Sequence, residues 1–456
     1  MSTGQQRAYV LSWHDLRRWD LKSARAAAFR AAHSSFRPMG DFIEEATEIV
    51  HPSKEPSHSW PVFGVSNKGG VALSHFQLGE TFNSAYKRIR TDWFFHNPTR
   101  ANVGSLGRVP DVPDDAITSP EYQVWRIRQG LLPEFVEILI HLPFFLDLID
   151  YHRVGAVKER LFVANLCEIP IPVLSEREQT AIIDRWRKAQ DEIAAASQRI
   201  EKRKDSLNAR FFADLGLKAP DVIAMRKAFA VGWEDFLRWG VRFNFLNQNG
   251  ADLSRGKYPV VQLGSIIDLL QYGTSEKANT EGDGVAVIRM NNLIDGQLDL
   301  SELKHLRLPK AELERLTLQE GDILFNRTNS KELVGKCAVF HAQGDFVFAS
   351  YLIRVRAIPE KADADFLAFV INSPIGRQQI DALSRQIIGQ ANVNSGELRG
   401  LQIPLPPFAV QKQIMQRVTA GRQEIAQERE AASNLARQTN AEVEALILGA
   451  GKVTES

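Results

Sequence analysis

Ile403-Pro404-Leu405-Pro406-Pro407-Phe408-Ala409-Val410-Gln411, read beside Glu168-Ile169-Pro170-Ile171-Pro172 and the Gln179-Thr180-Ala181-Ile182-Ile183 that follows it, decides the architecture of this chain. Alternating Ile and Pro is extended backbone, because proline removes a hydrogen-bond donor and biases the residue before it away from the helical region. In both places a helix follows. Ser175 with Glu178 three residues on is a capping-box pattern, and Gly216 after Leu215 is a C-terminal stop. Between them Trp186, Ile193, Ile200 and Leu207 recur every seven residues, with Ile182, Ala189 and Ala196 interleaved. The spacing predicts one long helix over 176–215. In the second copy Val418, Ile425, Ala432 and Leu446 keep the period up to Gly449, whereas Gly421, Glu428 and Thr439 dilute the stripe, so a helix is expected there more than a coiled coil. The charged run Arg199, Glu201, Lys202, Arg203, Lys204, Asp205 reads as a solvated helix face.

Working outward, the duplication covers the chain. Ile169 and Ile403 are offset by 234 residues, and Trp13, Asp15 and Trp19 recur as Trp233, Asp235 and Trp239 at an offset of 220. With 8 tryptophans in all, two pairs at one spacing mark a boundary. Asn97, Thr99 and Gly107 loosely echo Asn326, Thr328 and Gly335, and the middles differ most. Residues 285–290, 322–325, 346–349 and 351–355 are short, β-branched or aromatic runs bounded by Gly, Asp or Asn and read as strands; 133–140 and 365–371 read as matching helices. The expected fold is α+β: two homologous mixed α/β modules, each followed by a long helix, the two helices packing antiparallel. The boundaries fall at 1–168, 169–218, 219–402, 403–449 and a tail, 450–456.

Composition agrees. At 456 residues the chain exceeds one hydrophobic core, and 44% apolar with 24% charged residues is the balance of a soluble globular protein. A net charge of +1 means that nucleic-acid contact must use local basic patches. Cys167 and Cys337, far apart, exclude a disulfide scaffold and a cysteine-clustered metal site, and fit a reducing cytoplasm. Residues 1–10 carry no apolar signal core, and the apolar run 131–149 contains Glu134, Glu137, His141 and Asp147, so it reads as buried helix rather than a membrane span.

Catalytic signatures are missing. Gly335-Lys336-Cys337 lacks the upstream glycine and the hydroxyl residue of a phosphate loop. Leu405-Pro406-Pro407-Phe408 has leucine where a base-flipping methyltransferase needs a polar side chain for the target amino group, so it reads as a turn into a helix. His51 and His58 have no neighbouring cysteines and make no metal motif, and Asp114-Asp115 beside Pro113 is turn chemistry.

With these residues in place, the layout resembles the specificity (S) subunit family of type I restriction-modification enzymes. The most specific stretch is Gly389-Gln390-Ala391-Asn392-Val393-Asn394 leading through Leu398 into the Ile403–Gln411 run, with 169–179 as its weaker counterpart. Family sequences often show Pro-Pro-Leu-Ala-Glu-Gln at that turn; here Phe408 and Val410 replace Leu and Glu. The resemblance implies two target-recognition domains reading a bipartite double-stranded DNA site, and helices that set the gap and bind methyltransferase (modification) subunits. It further implies a chain with no cofactor or catalysis of its own, partners that use S-adenosylmethionine, and a restriction/translocase partner that uses ATP with Mg. The alternatives are a DNA methyltransferase or nuclease with built-in recognition, and a helical scaffold that binds only protein.

Phosphates bind cations and donors, while base edges reward bidentate Arg, Asn or Gln. The first module offers Lys87, Arg88, Arg90, Asn97, Thr99, Arg100, Arg108, Arg153, Lys158 and Arg160 as DNA contacts. The second offers Thr274, Ser275, Lys277, Asn326, Arg327, Thr328, Asn329, Lys331, Arg385, Gln386, Gln390, Asn392 and Asn394. Candidate spacer and subunit-docking residues are Gln179, Ile182, Trp186, Ile193, Ile200 and Leu207 in the first helix and Gln411, Ile414, Val418 and Ile425 in the second. A helix of about 40 residues is a rod of roughly 60 Å, long enough to separate two half-sites, and one inserted turn would add up to about 5 Å.

Overall fold

The computed structural model describes residues 21–219, 228–233, 244–245, 252–280, 282–383, 385–387 and 390–449. Of the tryptophan repeat, Trp13, Asp15, Trp19, Asp235 and Trp239 lie outside these residues, as does the tail. The chain forms two compact units, Met1–Ala196 with Glu430–Ser456, and Ser197–Arg429.

In the first unit, helix α1 (Leu21–Ala32) precedes an antiparallel sheet with the spatial order Ile43–Glu45, Gln123–Ile127, Phe94–His96, Leu106–Arg108. Helices α2 (Pro133–His141), α3 (Pro143–His152) and α4 (Val163–Leu166) follow, then α5 (Glu176–Leu215), whose residues up to 196 belong to this unit. The single buried helix expected over 131–149 is thus two. Pro143 starts a new helix and holds Leu142 extended (φ −72°, ψ 145°), as the residue before a proline prefers. Phe135, Leu139, Phe145 and Ile149 are buried, while Glu134 and Glu137 pair with Arg108.

The second unit repeats this frame. Ile267–Tyr272, Leu352–Ala357, Ile323–Asn326 and Cys337–Val339 form the same antiparallel order, and α6 (Lys310–Leu316) is an addition. Then come α7 (Ala364–Asn372), α8 (Pro374–Leu383), again begun by proline, α9 (Ser395–Arg399) and α10 (Phe408–Ile447). The modules differ in their second sheets. The first has five strands in the order Ile49–Val50, Tyr86–Arg88, Ile117–Thr118, Ser59–Ser66, Gly70–Leu78; the second has three, Lys304–Leu306, Val285–Ile288, Phe346–Phe348, the last pair parallel.

Two correspondences read from the sequence shift. The proline runs pair with the opening segment of each module so that Met39 N donates to Ile169 O (2.8 Å) and Leu263 N to Leu401 O (2.8 Å). Ile169 therefore matches Leu401 and Ile171 matches Ile403, an offset of 232, not 234. An Ile-Pro alternation has period two, so a two-residue slip preserves every face and is invisible to a sequence comparison. Gly335 likewise matches Gly104, not Gly107. Asn97 N bonds Ser105 O and Asn326 N bonds Lys336 O, and the glycine just before each acceptor is left-handed, at φ 87° and 83°.

The long helices begin and end as their local signals dictate. Ser175 N donates to Glu178 Oε2 (2.8 Å) and Glu178 N to Ser175 Oγ (3.3 Å) at the start of α5. At its end Leu217 N reaches Phe212 O and Gly216 N reaches Ala213 O, with Gly216 at φ 69°, a Schellman closure. In the second unit α5 and α10 run antiparallel, with Arg199 on Glu428, Arg203 on Glu424 and Arg417 on Asp214. In the first unit Arg185 pairs with Glu442. The residues that dilute the stripe of α10 have structural places: Glu428 also takes Arg203, Thr439 is buried, and Gly421 is the recess that receives Leu207.

Both helices enter both cores. Ile182 and Ile183 of α5 pack with Val443 and Ile447 of α10 in the first unit. Phe211, Phe212 and Leu215 pack with Ile414, Met415 and Val418 in the second. Each module is thereby closed by the start of one helix and the end of the other.

Candidate nucleic-acid interface

In the second module, three segments far apart in sequence converge. Thr328–Asn329 pairs with Gln390–Asn392, which pairs with Arg385–Ile387, and Val393 N donates to Arg327 O (2.9 Å). Arg327 N donates to Tyr351 O (3.0 Å), and Thr274, bridged to Ala349, is tied back by Ser350 N (2.7 Å). The Arg327 guanidinium lies 4.9 Å over the Tyr272 ring, and its Nη2 is 3.4 Å from Asn392 Oδ1. Tyr272 and Tyr351 are exposed, at 39% and 51%. Neither was among the sequence candidates, although each stands in a polar or basic run (Tyr272-Gly273-Thr274-Ser275, Tyr351-Leu352-Ile353-Arg354) that could have drawn attention to it.

Not every candidate there is free to meet DNA. Asn326 is buried, its Nδ2 on Leu333 O (3.2 Å), and Thr274 is buried too; both are corrected to framework residues. Asn394 caps α9 through a reciprocal bond with Glu397, and the Asn329 amide is turned onto Ser330 N and Met290 Sδ. Ser275, Lys277 and Asn392 are exposed, and Thr328 and Lys331 half-buried; Arg385, Gln386 and Gln390 are placed by their strands.

The first module has the same junction. Leu161 N donates to Pro98 O (2.8 Å), so the 153–160 segment, closed by the Val154–Arg160 bridge, lies against the 97–100 turn. Buried His96 fixes that contact: its Nε2 donates to Leu161 O (3.0 Å), its Nδ1 accepts from Trp125 Nε1 (3.3 Å), and burial pushes its pKa down to about 4. Asn97 Oδ1 accepts from both the N and Oγ1 of Thr99, holding the turn. An open cleft of about 480 Å³ is lined by Thr99, Arg153, Ala156, Val157, Lys158 and Glu159, with Val157 96% exposed at its lip. Arg100, Lys158 and Arg160 are exposed around it, and their side chains make no hydrogen bond or ion pair among the described residues.

The other basic candidates of this module are engaged internally. Arg153 is held by Asp150 and Glu159, and Arg108 by Asp92, Glu134 and Glu137. Arg88 reaches Asp114 O, and Arg90 reaches Glu48. Lys87 Nζ is on Tyr122 O, and burial lowers its pKa. These three sit on or beside the five-stranded sheet.

The helix candidates also need correction as contact residues. Gln179, Ile182, Ile200, Gln411, Ile414, Val418 and Ile425 are buried, and Trp186, Ile193 and Leu207 half-buried. They join the helices to the modules and to each other, so a docking surface would have to use the exposed flanks. Among the described residues no group of three His, Cys, Asp or Glu could hold a metal ion, and no helix is long and apolar enough to cross a membrane.

Comparison with known proteins agrees with this arrangement. The family model for the type I restriction modification DNA specificity domain matches residues 256–432, from ahead of the second module's sheet into α10. The type I restriction enzyme EcoKI specificity subunit of Escherichia coli (strain K12) is 29% identical over 157 residues, 34% of this chain and 34% of that protein. The StySPI specificity subunit of Salmonella potsdam is 22% identical over 298 residues, 64% of this chain and 59% of that protein. The matched stretches thus span less than two thirds of these relatives' lengths. A chain solved in work on assembly and conformational transition of the type I R-M system shares the fold, with a TM-score of 0.55 at 16% identity over 90% of this chain and 97% of that one. The specificity-domain model thus matches the second module, and the same sheet order is built again in the first.

Proposed function

We propose that the chain is the DNA-specificity subunit of a type I restriction-modification system. Its two modules, with the boundaries given above, each read one half of a bipartite double-stranded site, and α5 and α10 set the gap. Methyltransferase subunits dock on the exposed helix flanks, and restriction/translocase subunits join where the system has them. The chain itself is non-catalytic and cytoplasmic; S-adenosylmethionine, and ATP with Mg, belong to its partners.

The observation that carries this reading is the repeated junction. In both modules a turn after the third strand of the frame (97–100, 326–329) lies beside the segment that follows the second module helix (153–160 in one, 385–387 and 390–392 in the other). The polar and basic side chains differ between the two copies, as two readers of different half-sites require. A protein-only scaffold would leave these two Arg- and Asn-rich junctions without a use. Co-expression with the cognate methyltransferase, followed by sequencing for methylated adenines, tests the proposal: a bipartite motif is expected. A contiguous symmetric motif, or methyl transfer by the chain alone, overturns it.

A further inference from the structure

Arg327 is held differently from the two arginines of the neighbouring strand. Arg354 and Arg356, on the neighbouring strand, both pair with the fully buried carboxylate of Asp322. Arg327 makes no ion pair among the described residues; its guanidinium lies on the Tyr272 ring at 4.9 Å, with one nitrogen toward Asn392 Oδ1. Its backbone is clamped on both sides, the N–H by Tyr351 O and the carbonyl by Val393 N. Its Nε is buried and has no hydrogen-bond partner. A cation left without a carboxylate, set over an exposed ring and anchored at its backbone is held in place at little entropic cost.

A guanidinium held in place suits a planar target. Guanine presents O6 and N7 in the major groove to a bidentate guanidinium, the commonest specific contact to DNA, whereas a phosphate can be met by a point charge from many directions. The first module has Pro98 at the equivalent place: Pro98 O accepts from Leu161 N as Arg327 O accepts from Val393 N. Proline has no donor to offer there.

We infer that Arg327, oriented by Tyr272 and Asn392, reads a guanine in the half-site of the second module, and that the first module has no such reader at its matching position. The inference rests on the chain being a DNA-specificity subunit and assigns one base type to one residue.

The test uses the complete modification complex in a host free of other adenine methylation. The wild-type motif is mapped first; absence of a bipartite motif would defeat the functional reading whatever Arg327 does. Given that motif, Arg327→Ala and Arg327→Lys should each reduce discrimination at one guanine of one half-site about ten-fold or more, with the other half-site unchanged. Retention of the whole wild-type motif by both variants overturns the inference. So does an Ala variant that weakens methylation evenly at every base of the half-site together with a Lys variant that restores it, because charge alone would then suffice, as for a phosphate. If Arg327→Ala abolishes all methylation, the Lys variant, which preserves the charge and the aliphatic stem, decides between these outcomes.

Discussion

Gln179 and Gln411 make the same set of hydrogen bonds in the two modules. Gln179 Oε1 accepts from Leu132 N (2.8 Å) while its Nε2 donates to Gly130 O (2.9 Å) and Leu174 O (3.0 Å). Gln411 Oε1 accepts from Asp363 N (2.8 Å) and its Nε2 donates to Lys361 O (3.1 Å) and Pro406 O (2.8 Å). In each case one amide ties the first turn of a long helix to the cap of a module helix and to the end of the proline run. This explains why a glutamine recurs at both sites although neither can reach a partner protein.

Removing that amide should therefore act on stability. Gln411→Ala leaves buried backbone groups without partners, and at about 1–3 kcal/mol for each such group a loss of at least about 2 kcal/mol is expected. Gln413, exposed on the same turn, should change stability by less than about 0.5 kcal/mol when replaced by Ala. Equal urea midpoints for the two variants would show that the clamp is unimportant.

The close approach of the helices can be tested at Gly421. A Cβ there would lie 2.6 Å from Leu207 Cδ2, so Gly421→Ala must displace that side chain or part the helices. Overpacking of this kind costs about 1–3 kcal/mol. Leu207→Ala in the Gly421→Ala background should recover part of the loss, and a double-mutant cycle reads the coupling. Additive effects would mean that the two residues do not compete for space.

His341 should give the second unit a pH dependence. Its Nδ1 is 3.2 Å from Glu320 Oε1 and its Nε2 3.0 Å from Asp365 Oδ1. Burial pulls the imidazole pKa down, but the hydrogen bonds and charges of Asp365 and then Glu320 outweigh it, and the net value is raised above the usual 6.5. A raised folded-state value stabilises the fold fully below the unfolded-state pKa, and that contribution is lost as pH rises through the folded-state value. The ring is half exposed, so solvent screening keeps the effect small. The urea midpoint should fall between about pH 6 and about pH 8, a fall that His341→Gln removes. An identical slope in that variant would assign the dependence elsewhere.

What the sequence made legible is what local chemistry controls. The bounds of α5 are marked by Ser175, Glu178 and Gly216 and a heptad stripe, and the structure has them at Glu176–Leu215. The break at Pro143 was equally local but hidden within a long apolar run. The register of the proline runs was not legible, because Ile-Pro alternation looks the same after a two-residue slip. In the modules, residue type picked out the segments that meet at the two junctions but not which cations remain available. Arg108 is taken by Glu134 and Glu137, which come to it only through the packing of α2 on the sheet, while Arg100 meets no such carboxylate. Tyr272 acquires its place only when Arg327 lies across it.

The helices as a spacer make the last prediction. An insertion in α5 alone would pull Leu207 out of the Gly421 recess and break the Arg199–Glu428 and Arg203–Glu424 pairs. A clean test must therefore lengthen both helices and keep the seven-residue period of the seam. Seven residues inserted after Ala196 and seven more after Arg429, at the boundary between the compact units, preserve the packing inside each unit. At 1.5 Å per residue the addition is roughly 10 Å, about three base pairs at about 3.4 Å each. If the helices set the gap, methylation mapping should return both half-sites unaltered, with the spacer longer by about three base pairs. On the proposed function the bases are read by junctions inside the modules, which the insertion leaves untouched, so the half-sites should persist even as their separation changes. An unchanged spacer with intact half-sites would remove α5 and α10 as the ruler.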